Sequence, residues 1–207
     1  MSDNKADDKQ FAVCVFCGSS PGTESQFIET AKSLGAELYK NDWSLVYGGG
    51  TVGLMGAVAS SLVALGGNVH GIIPKALVSK EQTGTVPSVE EFGKTTVVRD
   101  MHSRKAMMGK EANAFVALPG GFGTMEELFE ITTWNQVGIH DCPIVVLNLN
   151  GFYDGLLGWI RMAVEKGFIS ENASTIISEA KAVEEVAERI KSYKPAAGRF
   201  NLDWKSQ

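Results

Sequence analysis

The chain is poor in cysteine, in basic charge and in long apolar runs, and each shortage closes off a class of protein. Three cysteines in 207 residues, Cys14, Cys17 and Cys142, are too few for a disulfide framework. Lysine and arginine number 19 against 24 aspartates and glutamates, a net charge of −5. An acidic chain binds polyanions poorly through its global field, so no nucleic acid is expected as a partner, although backbone amides can still bind a small phosphate locally. No run approaches the roughly 18 consecutive apolar residues of a spanning helix, so no membrane association is expected. The segment 1–10 is polar, without the apolar core of a leader, and the cysteine content suits a reducing compartment, so a cytoplasmic location is expected. With 44% apolar and 21% charged residues, the chain is globular rather than disordered, and long enough to build one core without staples.

Glycine is in excess. There are 23, where average usage would give about 14 or 15. Two clusters hold eight of them: Gly48, Gly49, Gly50, Gly53 and Gly56, then Gly120, Gly121 and Gly123. A localised surplus without a repeat is neither collagen nor linker.

Periodicity predicts short apolar strands over 11–17, 43–47, 69–73, 94–98, 114–118 and 144–149, with a seventh near 175–177. Helices are expected between them, over 25–40, 52–65, 101–111, 124–136, 152–166 and 183–193, while 75–93 is polar and irregular. This alternation predicts a single-domain α/β fold, a Rossmann-like doubly wound parallel sheet covered on both faces. A disordered segment 1–10 is expected to precede the domain at 11–193, and a tail at 194–207, carrying Phe200 and Trp204, to follow it frayed or packed on a neighbour. Cys14 and Cys17 spell C-x-x-C, but a redox pair needs an exposed thiol near a helix N-terminus, and both lie in an apolar strand. They are expected to be buried.

Ligands of doubly wound sheets sit beyond the carboxyl ends of the strands, where the strand order reverses. With the common order 3-2-1-4-5-6, strands 1 and 4 flank that point. The loops after strands 1, 2, 4 and 5 then converge: 18–20, 48–50, 100–105 and 119–124. Gly48-Gly49-Gly50-Thr51-Val52-Gly53 matches G-x-G-x-x-G literally, but no Asp or Glu occurs in 54–79 to hold a ribose, so a dinucleotide site is not expected. No Walker A lysine follows either cluster. Gly120-Gly121-Phe122-Gly123-Thr124 opens a helix, where glycines let backbone approach an anion and the first free amides attract it; a phosphate site is favoured over a plain turn.

Glu127 admits two readings. Thr124-Met125-Glu126-Glu127 spells a capping box, in which Glu127 would reach back to the amide of Thr124. Alternatively its carboxylate faces a ligand from the first helical turn. Glu126 and Glu130 lie on another face, expected to be solvated. Arg104 and Lys105 start a helix, where basic charge opposes the dipole, which favours a ligand role over a surface pair. His70, His102 and His140 are too scattered to suggest a metal, and none is expected.

Four segments together resemble the Lonely Guy family of cytokinin-activating phosphoribohydrolases. They are Cys17-Gly18-Ser19-Ser20, the loop from Val46-Tyr47-Gly48 to Gly56, Met101-His102-Ser103-Arg104-Lys105, and Leu118-Pro119-Gly120-Gly121-Phe122-Gly123-Thr124-Met125-Glu126-Glu127. The resemblance implies hydrolysis of the N-glycosidic bond in cytokinin riboside 5′-monophosphates, with adenosine monophosphate a further candidate, giving free base and ribose 5-phosphate. It implies no cofactor and a homodimer. Catalysis would fall to Arg104 and Glu127. Substrate contacts would come from Glu81, Arg104, Lys105, Gly121, Phe122, Gly123, Thr124, Met125, Glu126, Glu127 and Thr133. The loop after Glu81 departs from the family, with Thr85 where an acid is usual. Two other functions fit the fold: a non-hydrolytic nucleotide sensor or carrier, and a pyridoxal-phosphate decarboxylase, for which Lys105 would be the Schiff-base lysine.

Overall fold

The structure is a computed structural model and describes residues 10–82, 87–200 and 202. Its strands are β1 (Ala12–Phe16), β2 (Ser44–Tyr47), β3 (Val69–Pro74), β4 (Lys94–Val98), β5 (Ala114–Ala117), β6 (Ile144–Leu147) and β7 (Ile177–Ala180). The helices are α1 (Ser25–Lys40), α2 (Gly53–Ala64), α3 (Val78–Glu81), α4 (Val89–Phe92), α5 (Met101–Glu111), α6 (Phe122–Gln136), α7 (Asp154–Glu165) and α8 (Val183–Ser192). Among its described residues, the region expected to be irregular therefore holds a 3-10 turn at Lys75–Leu77 and two short helices, and the seventh strand lies slightly later than its sequence suggested.

All strand pairs are parallel, in one sheet ordered β4-β3-β2-β1-β5-β6-β7. Side chains alternate between its faces. Val13 and Val15 join Leu45, Tyr47, Leu34, Val58 and Val186 under α1, α2 and α8. Ala12, Cys14 and Phe16 join Phe115, Met108, Leu128 and Ile160 under α5, α6 and α7. With helices on both faces every position of β1 is buried, hence the unbroken apolar run. Cys14 and Cys17 are buried free thiols in opposite layers, as their strand context predicted, and burial pushes both well above the usual thiol range.

The strand order corrects the sequence reading. β5, not β4, lies beside β1, and β4 forms the edge beyond β3. The polar start Lys94-Thr95-Thr96 suits that edge, where β4 stays partly exposed. The chain then returns diagonally, because α5 packs across β3, β2 and β1 on its way to β5. That crossing brings α5 back toward the centre.

The described part of the tail contacts its own domain. Arg199 Nε donates to Asn135 O at 2.8 Å, and Phe200 N to Gln136 O at 3.0 Å, at the end of α6. Gln10 Nε2 donates to Asp42 Oδ1 at 2.9 Å. The rest of the segment expected to be disordered, together with Thr85 and Trp204, lies outside the described residues. No helix among the described residues is long and apolar enough to cross a membrane.

Candidate active site

Beyond the carboxyl ends of β1, β2 and β5 the loops are stitched together by their backbones. Gly18 N donates to Pro119 O at 3.1 Å and Leu54 N to Gly18 O at 3.0 Å. Gly53 makes this approach feasible: its φ is +60°, and a Cβ there would meet the Ser19 backbone at 2.4 Å. The loops, α3, α5 and α6 enclose a cleft of about 310 Å³. A larger hollow of about 480 Å³ opens at the amino ends of the strands, beside Ser44, Asn68 and His70, and holds none of the predicted site residues.

α6 begins at Phe122 with Gly121 as its N-cap, and no acidic side chain occupies its first turn. The amides of the glycine segment thus stand at the positive end of a 15-residue helix, free for an anion. This start, two residues before Thr124, decides against the capping box. Thr124 is a buried helical residue rather than an N-cap, and no side chain caps the helix.

Glu127 and Arg104 are among the most buried charged residues, 7% and 5% exposed, and they face each other with Arg104 Nη2 3.5 Å from Glu127 Oε1. Burial raises the Glu127 pKa to about 7, with Arg104 pulling against it and Glu126 and Glu81 adding to it. Glu81, another charged group lining the cleft wall, is also raised by burial, again opposed by Arg104. Its backbone is fixed to the first glycine cluster: Thr51 N donates to Glu81 O at 2.8 Å, and Gln82 Nε2 to Gly49 O at 2.9 Å. Two buried polar atoms here have no hydrogen-bond partner among the described residues, Arg104 Nε and Glu81 Oε2. Unmatched buried donors and acceptors in a cleft are what a polar ligand would satisfy.

Asp100, which the sequence reading passed over, starts α5 by accepting a hydrogen bond from Ser103 N at 2.8 Å, and this bond holds its carboxyl below the usual range. An aspartate just before a helical segment is a recognisable N-cap signal. Leu77 and Met55, also unflagged, supply apolar walls of the cleft beside Met101.

The cleft brings together Glu81, Arg104, Gly121, Phe122, Gly123, Thr124, Glu126 and Glu127. Phe122 stands at its rim, 97% exposed. Three predicted residues lie elsewhere. The Lys105 side chain, 14% exposed, passes behind the cleft and pairs with Glu126 at 2.5 Å and Glu130 at 3.0 Å. Those two glutamates are therefore a cation's partners; Glu126 is also exposed to solvent, as expected, while Glu130 is partly buried. Met125 packs toward the core, and Thr133 Oγ1 donates to Phe129 O at 2.8 Å further along α6.

A family model described as "Possible lysine decarboxylase" matches residues 55–190. Cytokinin riboside 5'-monophosphate phosphoribohydrolase LOG3 of Arabidopsis thaliana is 48% identical over 197 residues, 94% of this chain and 89% of that protein. A bifunctional cytokinin biosynthesis protein of Fusarium pseudograminearum is 43% identical over 95% of this chain, which spans 43% of that protein. Among solved structures, the molybdenum cofactor binding protein of Rippkaea orientalis shares the fold with a TM-score of 0.66 at 22% identity, covering 89% of this chain and 98% of that one.

Proposed function

The chain belongs to the family of cytokinin riboside 5'-monophosphate phosphoribohydrolases, and from that premise we propose that its cleft hydrolyses the N-glycosidic bond of such nucleotides, and of adenosine monophosphate. Water adds at C1′, the bond from C1′ to the base nitrogen breaks, and free base and ribose 5-phosphate leave. The observation that carries this reading is the buried Arg104–Glu127 pair beside the amides that open α6.

Loss of the base builds positive charge on the ribose, as in glycoside cleavage. Glu127 is the carboxylate for that charge and for orienting the water. The 5′-phosphate binds the amides of Gly121 to Thr124, remote from the breaking bond, so its binding energy serves positioning. Arg104 holds phosphate or ribose, and Glu81 contacts the substrate from the β3 side of the cleft. A decarboxylase reading fits poorly, because Lys105 is a salt-bridged cation outside the cleft lining rather than an amine facing a cofactor.

The protein acts as a cytoplasmic homodimer on this reading. Phe129, Trp159 and Met162, exposed on α6 and α7, support a self-contact surface, with the Phe129 and Trp159 rings packed edge to face 5.6 Å apart. Chromatography of a panel of nucleoside 5′-mono-, di- and triphosphates tests the activity. Free base is expected from the purine monophosphates, cytokinin forms included; no base from any of them would sink the reading.

A further inference from the structure

The first glycine cluster has lost its dinucleotide reading, and the structure gives Gly48 a different use. Gly48 follows β2 and lies against Arg104 and Met55, two residues that line the cleft, and its φ lies outside the left-handed region, so its backbone does not itself demand glycine. Space does. A Cβ at this position would stand 1.9 Å from Arg104 Nη2 and 3.1 Å from its Cζ, with Met55 Sδ next at 3.2 Å. The guanidinium therefore lies directly on the Gly48 backbone. Nη2, the atom a methyl would strike, is also the one that faces Glu127 at 3.5 Å.

The other glycines of the cluster are constrained differently. Gly49 and Gly53 have φ of +75° and +60°, and a Cβ on Gly56 would meet the Thr51 backbone at 2.2 Å. A Cβ on Gly50 would meet the end of the Met55 side chain at 2.5 Å. Only at Gly48 within this cluster is the closest obstacle the tip of a charged side chain. We propose that Gly48 is a positioning residue: by carrying no side chain it seats the Arg104 guanidinium against Glu127. The glycine loop after β2 is then an arginine seat, while anion binding falls to the loop after β5. This inference rests on the proposed role of Arg104 in base release.

The test is a double-mutant cycle. Gly→Ala at an unstrained φ does not by itself weaken a fold, so Gly48→Ala should keep its Tm near the wild-type value. Displacing a reacting group by about 1 Å costs on the order of 10²-fold in rate, and a loss of that size is expected in kcat for base release. In an Arg104→Ala background the same substitution should cost nothing further. In an Arg104→Lys background its cost should shrink, since a single ammonium is slimmer than the guanidinium. A wild-type rate in Gly48→Ala, or losses that multiply fully with Arg104→Ala, would overturn the proposal. So would failure of Gly48→Ala to fold even beside Arg104→Lys, because the methyl would then be striking something else. A structural readout separates this idea from the function: the 15N resonances of the Arg104 guanidinium should shift in Gly48→Ala whether or not the wild-type protein releases base.

Discussion

On the proposed mechanism the chemistry turns on Glu127, and the ionisation of this residue gives two opposite pH signatures. Burial lifts its pKa from 4.5 to about 7. If the carboxylate works ionised, kcat should rise with pH through a limb near 7. Stability should move the other way. Between pH 4.5 and about 7 the folded protein holds a proton that the unfolded chain has released. Stability therefore falls as pH rises through that window, by up to about 3 kcal/mol. Glu127→Gln removes the buried charge and should have a higher Tm than wild type above pH 7, the difference closing below pH 4.5. Thermal melts across pH 4 to 9 check this; a variant less stable than wild type at pH 8 would mean that the carboxylate stabilises the fold. Arg104→Ala should cut kcat by orders of magnitude, and a rate near wild type would remove Arg104 from the mechanism. The sequence left Glu127 undecided, because T-x-x-E spells a capping box whether or not the helix begins at the threonine. Only the N-cap at Gly121 decides it.

Helices α5 and α6 hold the site between them through two adjacent rungs, Arg104 with Glu127 and Lys105 with Glu126 and Glu130. Motif spacing placed both basic residues at the start of α5, but consecutive residues on a helix point about 100° apart, so Lys105 turns away where Arg104 turns in. That difference is invisible in a motif read as a string. The far end of α6 is tied down by the tail, where Arg199 donates to Asn135 O and also contacts His140 O at 2.5 Å. A cation at a helix C-terminus is favourably placed. Arg199→Ala should cost about 2 kcal/mol, a fall in Tm of about 4–8 °C for a chain of this size, with kcat little changed. An unchanged Tm would show the strap to be incidental. The tail carries no periodicity, and its contacts follow from where α6 ends in space, so no pattern along the chain marks them.

At the scale of the molecule, the alternation of apolar runs and helices made the parallel sheet and its covered faces legible, down to buried Cys14 in β1 and Cys17 just after it. The order of strands was not, since periodicity records which face a residue takes and not which strand lies beside it. The one available hint was the polar half of β4, Lys94-Thr95-Thr96, which marks an edge. Convergence of the loops survived the misplaced strand only because α5 crosses back over β3, β2 and β1. The exposed apolar face of α6 and α7 leads to a further expectation. Sedimentation should give twice the 22.2 kDa chain mass, and Trp159→Glu should give the single mass. A wild-type protein sedimenting as one chain would contradict the proposed dimer.

The account stands most directly on one assay: release of free base from a cytokinin riboside 5′-monophosphate by the wild-type protein and by Glu127→Gln, with nucleotide binding measured in both. The account predicts base from the wild type, none above background from the variant, and comparable nucleotide binding. A Glu127→Gln protein that releases base at the wild-type rate would contradict it.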